Sequence, residues 1–493
     1  MSALDEWIAA EARFATGAML RAISATHLVM DRPGFGQRVV PRPGSVLASP
    51  VVAHYDPDPD YFFHWFRDSA IVIDALRVAL SEGYAGRAAL QHFGEFVQFS
   101  LELHSLDGQE FLRRGNFRAK VEPAFLRYLR SDEEIAALRG DAVLADVRVN
   151  ADGTPDLTRW ARPQSDGPAL RCLALLRWWQ QFPQPAATLG AAVNELIDAD
   201  LAFTLAYALR PSFDIWEEEY GCHYYTQLVQ GQALTLGAAW LEERGLNARA
   251  QACRVAAQET AARVDSLWSE GGGYYRSRSA VAVGDPRKEL DIAVILAVLH
   301  AGRASARHSV LDPRVQATLT ALEELFESDY AINRDRPPGR GAAMGRYAND
   351  RYYSGGAYFF ATLAAAEFYF RLAAALHAGA EMPHTVENKL FRQRLAVSAV
   401  TADAADVAHA ADLADPADPT DAAASSSLAR FAMLRGDAVM QMVRAFALPG
   451  GQLSEQFDRT TGVQTSAKEL AWSYAAFITA AASRSQARRA ISA

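Results

Sequence analysis

The chain has 493 residues, half of them hydrophobic, with 58 acidic side chains against 49 Lys and Arg and a formal net charge of −9. That balance, and the lack of a long basic run, argue against nucleic acid and anionic membranes as partners. Three cysteines, Cys172, Cys222 and Cys253, are too few and odd in number for a disulfide framework, and their spacing resembles no zinc site.

The first twenty residues carry Asp5, Glu6 and Glu11 and lack a basic start followed by an apolar run, so they do not read as a secretion signal. No stretch approaches the roughly 18 apolar residues of a membrane span. A cytoplasmic, monomeric protein is the expectation. Residues 1–50 read as a lead-in helix and loop. A helix follows over 68–80, with Val72, Leu76, Ala79 and Leu80 on one face and Gly83 as its stop. Further helical patterns run over 168–179, 191–209, 226–241, 248–267, 290–301 and 315–326. Over 358–375, Phe359, Leu363, Ala366 and Phe370 repeat in the same way. The segment 401–427, rich in Ala and Asp, reads as a surface excursion rather than a domain boundary. Helices over 428–446 and 467–482 close the chain, with Ser466 and Glu469 expected as a capping box for the last. About a dozen helices with few convincing strands make an all-α protein. Several, such as 361–370, are apolar nearly all round, as the inner helices of two concentric layers would be. With no long linker, 1–493 reads as one domain; a closed barrel can run this long as a single unit.

Five short motifs join acidic, basic and aromatic side chains at helix ends. They are Asp60-Tyr61-Phe62-Phe63-His64-Trp65-Phe66-Arg67-Asp68, Arg159-Trp160-Ala161-Arg162-Pro163-Gln164-Ser165-Asp166-Gly167-Pro168, Trp216-Glu217-Glu218-Glu219, Gly345-Arg346-Tyr347-Ala348-Asn349-Asp350-Arg351-Tyr352-Tyr353, and Ser454-Glu455-Gln456-Phe457-Asp458 with Trp472 downstream. Singly each has a plain structural reading: Asp68 as a helix cap, Arg162 as a bridge between loops, Trp160 as core, three glutamates as a solvated helix face. Together they are harder to dismiss, because loops at one end of a helical ring converge, and sites sit on loops held by rigid scaffolds. The chemistry suits a glycosidic bond, which is cut between two carboxyl groups, one acid and one base or nucleophile. Sugars offer hydroxyls to Arg and Asp and apolar ring faces to Trp and Tyr. Crowding among Glu217, Glu218 and Glu219 would favour keeping one of them protonated as the acid, leaving Glu455 to activate water.

At these motifs the chain resembles the glucoamylases of the family 15 glycoside hydrolases, in particular their fungal-type catalytic domain. Residues 61–68 resemble the family's Tyr-x-x-x-Trp-x-Arg-Asp motif and 160–167 its Trp-Gly-Arg-Pro-Gln-x-Asp-Gly loop. Residues 214–218 resemble Asp-Leu-Trp-Glu-Glu, 345–353 resemble Gly-Arg-Tyr-x-x-Asp-x-Tyr-Tyr, and 454–458 with 472–475 resemble Ser-Glu-Gln-Phe-Asp followed by Trp-Ser-Tyr-Ala. The resemblance spans 61–477. It implies an (α/α)6 toroid, inversion at the anomeric carbon, and release of glucose from non-reducing ends of α-glucans without metal or cofactor. By position, Glu217 is then the general acid and Glu455 the general base, with Tyr61 holding the attacking water. Arg67, Asp68 and Arg346 would grip the terminal glucose, Trp216 and Trp472 would shape its pocket, and Trp65 and Tyr352 would belong to the same site. Glu218 would bind hydroxyls near the cleavage point, Trp160 would pack on the acid or the next sugar, and Asp350 would orient Arg346 or contact the second sugar. Arg148 stands where the family usually has a sugar-contacting Lys.

The sequence also departs from the family's pattern. Ala161 replaces a Gly, Ala357-Tyr358 replaces a Pro-Trp pair that commonly lines the acceptor side, and Cys222-His223-Tyr224-Tyr225 follows the acid where small polar residues and Phe are common. These changes leave the two carboxylates in place and bear on linkage preference. Only about sixty residues precede the first motif, fewer than the roughly 100 of a β-sandwich domain. Nothing after the last helix resembles a starch-binding module. The expected partner is an α-glucan oligosaccharide, with neither nucleic acid nor membrane. The alternatives are an α-1,6-specific glucohydrolase, a trehalose hydrolase of the same family, or a helical barrel that binds oligosaccharide without cutting it.

Overall fold

In the computed structural model, residues 2–183, 188–279, 281, 284–304, 307–400 and 422–492 are described. Among them, thirteen helices have nine or more residues. They are α1 (Ala3–Arg21), α2 (Phe66–Ser81), α3 (Ala88–His104), α4 (Gly167–Gln181), α5 (Gly190–Tyr207), α6 (Tyr224–Glu242), α7 (Asn247–Asp265), α8 (Ala293–Ala301), α9 (Pro313–Asp329), α10 (Phe359–His377), α11 (Lys389–Val400), α12 (Ala422–Phe446) and α13 (Ala471–Ser492). Helix α2 packs on α4, α4 on α6, α6 on α8, α8 on α10, α10 on α13, and α13 back on α2. That closes an inner ring of six. Helices α3, α5, α7, α9 and α12 pack outside it, and α1 completes the outer layer against α13. This is the (α/α)6 toroid.

The patterning of each helix follows from its layer. In α10, the residues from Phe359 to Phe370 are all buried, so no polar stripe is needed. In α2, Gly83 lies just past the end at φ +75°, a left-handed turn that Gly adopts without penalty. Helix α10 is also long and apolar enough to cross a membrane, contrary to the sequence reading. Its apolar surface is covered inside the ring, which is what a closed inner layer demands of its members.

Several expectations need correction. Ser466 and Glu469 do not cap the last helix, which starts at Ala471. Both hold positive φ, at 63° and 47°; Ser466 turns to Glu455 and Glu469 pairs with Arg21 at 2.9 Å. Of the segment 401–427, residues 401–421 lie outside the described residues, and the remainder belongs to α12 rather than to an excursion. Helices α3 and α11 add to those expected. The spacing of Phe93, Phe96, Val97, Ser100 and Leu103, all buried, carries α3.

Short strand pairs at one end of the ring fix the site loops. Phe63–Trp65 pairs antiparallel with Arg148–Asn150, setting Trp65 opposite Arg148. Gln456–Phe457 pairs with both Ala357–Tyr358 and Gln464–Thr465.

Candidate active site

The acid candidate sits on a tightly held turn. Glu217 holds φ +66° and donates its N–H to the Asp214 carbonyl at 3.0 Å. The Asp214 carboxylate accepts the N–H groups of Glu218 (2.7 Å) and Glu219 (2.9 Å). A left-handed conformation in a residue with a side chain is strained, and such strain persists where surrounding structure enforces it. The turn aims the Glu217 carboxylate at the strand that precedes α2. Its Oε1 accepts from Trp65 Nε1 at 2.8 Å and from Arg67 Nη2 at 3.1 Å, and its Oε2 from Trp160 Nε1.

The other two glutamates point elsewhere, so the crowding expected from the sequence is not what the structure has. Glu218 Oε1 accepts from Arg346 Nη2 at 3.1 Å, and its Oε2 from Tyr347 OH at 2.6 Å and from Lys288 Nζ. Glu219 pairs with Arg278 at 2.7 Å and accepts the Asp285 N–H at 3.0 Å. Each carboxylate of the run has its own cation. The charges near Glu217 are instead Arg67 with its partners Asp166 (2.8 Å) and Asp68 (3.9 Å).

The base candidate comes from the opposite wall. Glu455 donates its N–H to the Ala467 carbonyl at 2.7 Å and accepts the Phe359 N–H at 3.2 Å, which pins its backbone between two strands and α10. Its carboxylate, in a residue 8% exposed, accepts from Ser466 Oγ and, at 3.4 Å, from Tyr61 OH. Burial pushes this carboxyl up to about 7; Ser466, Arg346 and Tyr61 oppose the shift and the nearby Asp68 adds to it. Tyr61 OH also lies 2.8 Å from Tyr352 OH. Burial and then the charge of Glu455 hold the Tyr61 phenol well above its usual value, so it stays a neutral donor; Glu217 contributes in the same sense. One phenol thus feels both carboxylates. The link is direct, since the Tyr61 ring lies 5.2 Å from that of Trp65, which bonds Glu217.

The remaining predicted residues gather between these walls. Arg346 makes a two-point ion pair with Asp350 (2.6 Å from both Nε and Nη2), and Tyr358 OH and the Tyr352 N–H also reach Asp350. Asp68 is 8% exposed, and burial raises its carboxyl to about 7 against the opposing charge of Arg67. Phe360 lies beneath Trp216 at 6.2 Å and stacks on Trp472 at 4.4 Å, giving the pocket an aromatic floor. Trp216 Nε1 is tied to Asp291 at 2.8 Å.

Arg148 is the exception. It is 1% exposed, paired with Asp156 at 2.9 Å, and its guanidinium lies under the Trp160 ring at 3.9 Å and beside Phe63 and Trp65. It supports Trp160 from below, and its register opposite Trp65 puts both side chains on one face of the strand pair, with the Trp160 ring packed over the guanidinium. The sequence reading also passed over Gln164 and Asp166, which hold Arg67 from within a motif already singled out. It gave no sign of Lys288, which lies in no motif, and read Ser466 as a cap.

A closed double ring of helices, with two carboxylates facing one tyrosine among arginines and indoles, defines a glycoside hydrolase. The chain belongs to the family described as glycosyl hydrolases family 15, whose model matches residues 144–482. It is 25% identical to glucoamylase 1 of Rhizopus oryzae over 97% of this chain and 71% of that one. It is 27% identical to the intracellular sporulation-specific glucoamylase of Saccharomyces cerevisiae, over 97% and 83%. Among solved structures, Hormoconis resinae glucoamylase superposes with a TM-score of 0.76 at 26% identity, covering 99% of this chain and 76% of that one. Glucoamylase from Saccharomycopsis fibuligera gives 0.76 at 22% identity over 99% and 96%, a likeness of fold.

Proposed function

We propose that the protein is an exo-acting, inverting glucohydrolase that releases glucose from the non-reducing ends of α-1,4-glucans and maltooligosaccharides. Glu217 donates a proton to the leaving glycosidic oxygen. Glu455 takes one from a water held beside Tyr61 and Tyr352, and that water attacks the opposite face of the sugar. Arg67, Asp68 and the Arg346–Asp350 pair bind the hydroxyls of the terminal glucose, over the floor of Trp216 and Trp472. Glu218, fixed by Arg346, Tyr347 and Lys288, faces the cleavage point. A base raised to about 7 is poised to take a proton near neutral pH. The observation that carries the reading is that Glu217 and Glu455 reach one Tyr61–Trp65 pair from opposite loops. Glucoamylase relatives that match nearly the whole chain support the substrate class. Three free, buried cysteines suit a reducing compartment, and the intracellular yeast relative supports a cytoplasmic enzyme.

The test is glucose release from maltotriose, with NMR to read the anomer. The wild type should release β-glucose first, and Glu217→Gln and Glu455→Gln should each lose about 10²–10⁴-fold in kcat. Near wild-type turnover in either variant would show that the roles lie elsewhere.

A further inference from the structure

Between the two walls of the site runs a loop that the chemistry above leaves unused. Residues 50–60 arch from Ser49 to Tyr61, and their two feet stand together: the Ser49 N–H bonds the Tyr61 carbonyl at 3.1 Å and the Ala48 N–H that of Phe63 at 3.0 Å. The arch is braced on one side, where the Ser49 hydroxyl bonds the Lys468 carbonyl at 2.7 Å and Lys468 Nζ lies 3.1 Å from Asp58. Its crest is tied down by the Tyr353 hydroxyl, which donates to the Tyr55 carbonyl at 3.5 Å. At that crest Tyr55 is 46% exposed and holds φ +69°, a conformation a bulky residue rarely adopts.

The loop that carries this ring is tied to the site through Tyr353. On the base side, Tyr353 adjoins Tyr352, with ring centroids 4.8 Å apart, and Tyr352 bonds Tyr61 beside Glu455. Burial raises the Tyr55 phenol, with Arg148 opposing the shift and Asp60 adding to it. Tyr55 (46% exposed), Tyr353 (39%) and Trp160 (40%) are large exposed aromatics on loops that carry or adjoin site residues. A pocket that holds one terminal glucose leaves the rest of the chain to pass through its mouth, where apolar sugar faces meet aromatic rings. A ring whose backbone is fixed beforehand loses little freedom when a sugar stacks on it.

We propose that Tyr55 is a specificity-determining residue, the platform for a glucosyl unit on the leaving-group side beyond the first, so that it favours longer maltooligosaccharides over maltose. The proposal rests on the glucohydrolase reading. It is tested by steady-state kinetics on maltose and maltotetraose for the wild type, Tyr55→Ala, Tyr55→Phe and Tyr55→Trp, with thermal midpoints measured alongside. In Tyr55→Ala, kcat/KM on maltotetraose should fall about five- to tenfold, chiefly through KM, and on maltose less than about twofold. Phe and Trp should restore the difference. Wild-type turnover together with an unchanged maltotetraose-to-maltose ratio in Tyr55→Ala would overturn the platform alone. A wild type that releases glucose from neither sugar would overturn the glucohydrolase reading and the platform with it.

Discussion

The Ser466 hydroxyl donates to Oε2 of Glu455, from a backbone held at φ +63°. The bond favours the ionised carboxylate and opposes the burial that lifts this group to about 7. Removing the donor raises the pKa further, and a base works only when ionised. Ser466→Ala should therefore move the acidic limb of the pH–kcat profile to higher pH. On that limb the loss should be about tenfold, shrinking toward alkaline pH. Glucose release from maltotriose between pH 4 and 9 reads this directly; a limb that stays in place would mean the base does not feel the hydroxyl.

Lys288 is a prediction about binding rather than chemistry. Its ammonium contacts Glu218 Oε2 and lies 4.6 Å over the Tyr347 ring, with a side chain only 13% exposed. Lys288→Met keeps the stem and removes the charge, leaving Glu218 to Arg346 and Tyr347. If Glu218 binds ground state and transition state alike, KM should rise about three- to tenfold while kcat stays within about twofold. A fall in kcat at unchanged KM would instead assign Lys288 to the transition state.

The pH dependence of stability follows from four buried carboxyls. Burial raises Glu11, Asp68, Asp291 and Glu455 each to about 7. Each binds its proton more tightly in the native chain than in the unfolded one. Between about pH 4 and 7 the native state therefore holds more protons, and stability falls as pH rises through that window. In Asp74 and Asp156 burial is outweighed by arginines, Arg177 and Arg148 first, so both are lowered and lose their contribution only in acid. Glu11, whose Oε1 has no hydrogen-bond partner among the described residues, lies outside the catalytic machinery and isolates the effect. Glu11→Gln should stabilise the fold by on the order of 1–3 kcal/mol at pH 8 and hardly at all at pH 4, with turnover unchanged. Urea titrations at the two pH values measure it; equal gains at both would mean that Glu11 does not titrate in this window.

The helices were legible because burial writes itself into sequence. The all-round apolar character of 361–370 announced an inner layer, and α2 and α10 fall within two residues of where their periodicity put them. The two carboxylates were legible because each stands in a run of aromatic and basic residues that no surface helix needs. What escaped the sequence is contact made across long separations. Ser466 and Glu469 have the spacing of a capping box, and only the path of the chain shows one turned to Glu455 and the other to Arg21. The glutamate run suggested mutual repulsion, yet Arg67, Arg346 and Arg278 come from three distant segments to separate the three carboxylates. Arg148 had the position of a sugar contact, but the Asp156 carboxylate and the rings of Phe63, Trp65 and Trp160 enclose it until it is 1% exposed.

The Arg346–Asp350 pair separates pocket architecture from mere stability. Arg346 is 4% exposed and bonds Asp350 through two nitrogens, with Glu218 as its only other acidic partner among the described residues. Asp350→Asn keeps the shape but offers one acceptor oxygen and no charge, so the buried guanidinium is left half-satisfied. Breaking such a pair costs about 3–5 kcal/mol when a partner is removed outright, and an amide should cost less, about 2–3 kcal/mol. If Arg346 also grips the terminal glucose, the same change should lower kcat/KM on maltotriose about ten- to a hundredfold at a temperature where the variant is fully folded. Arg346→Lys should behave similarly, because an ammonium cannot supply the two-point geometry. Both effects are read from one preparation, by urea titration and by glucose release. Lost stability with intact kcat/KM would make the pair a brace for the loop, and the glucose would have to be held by Arg67 and Asp68 alone.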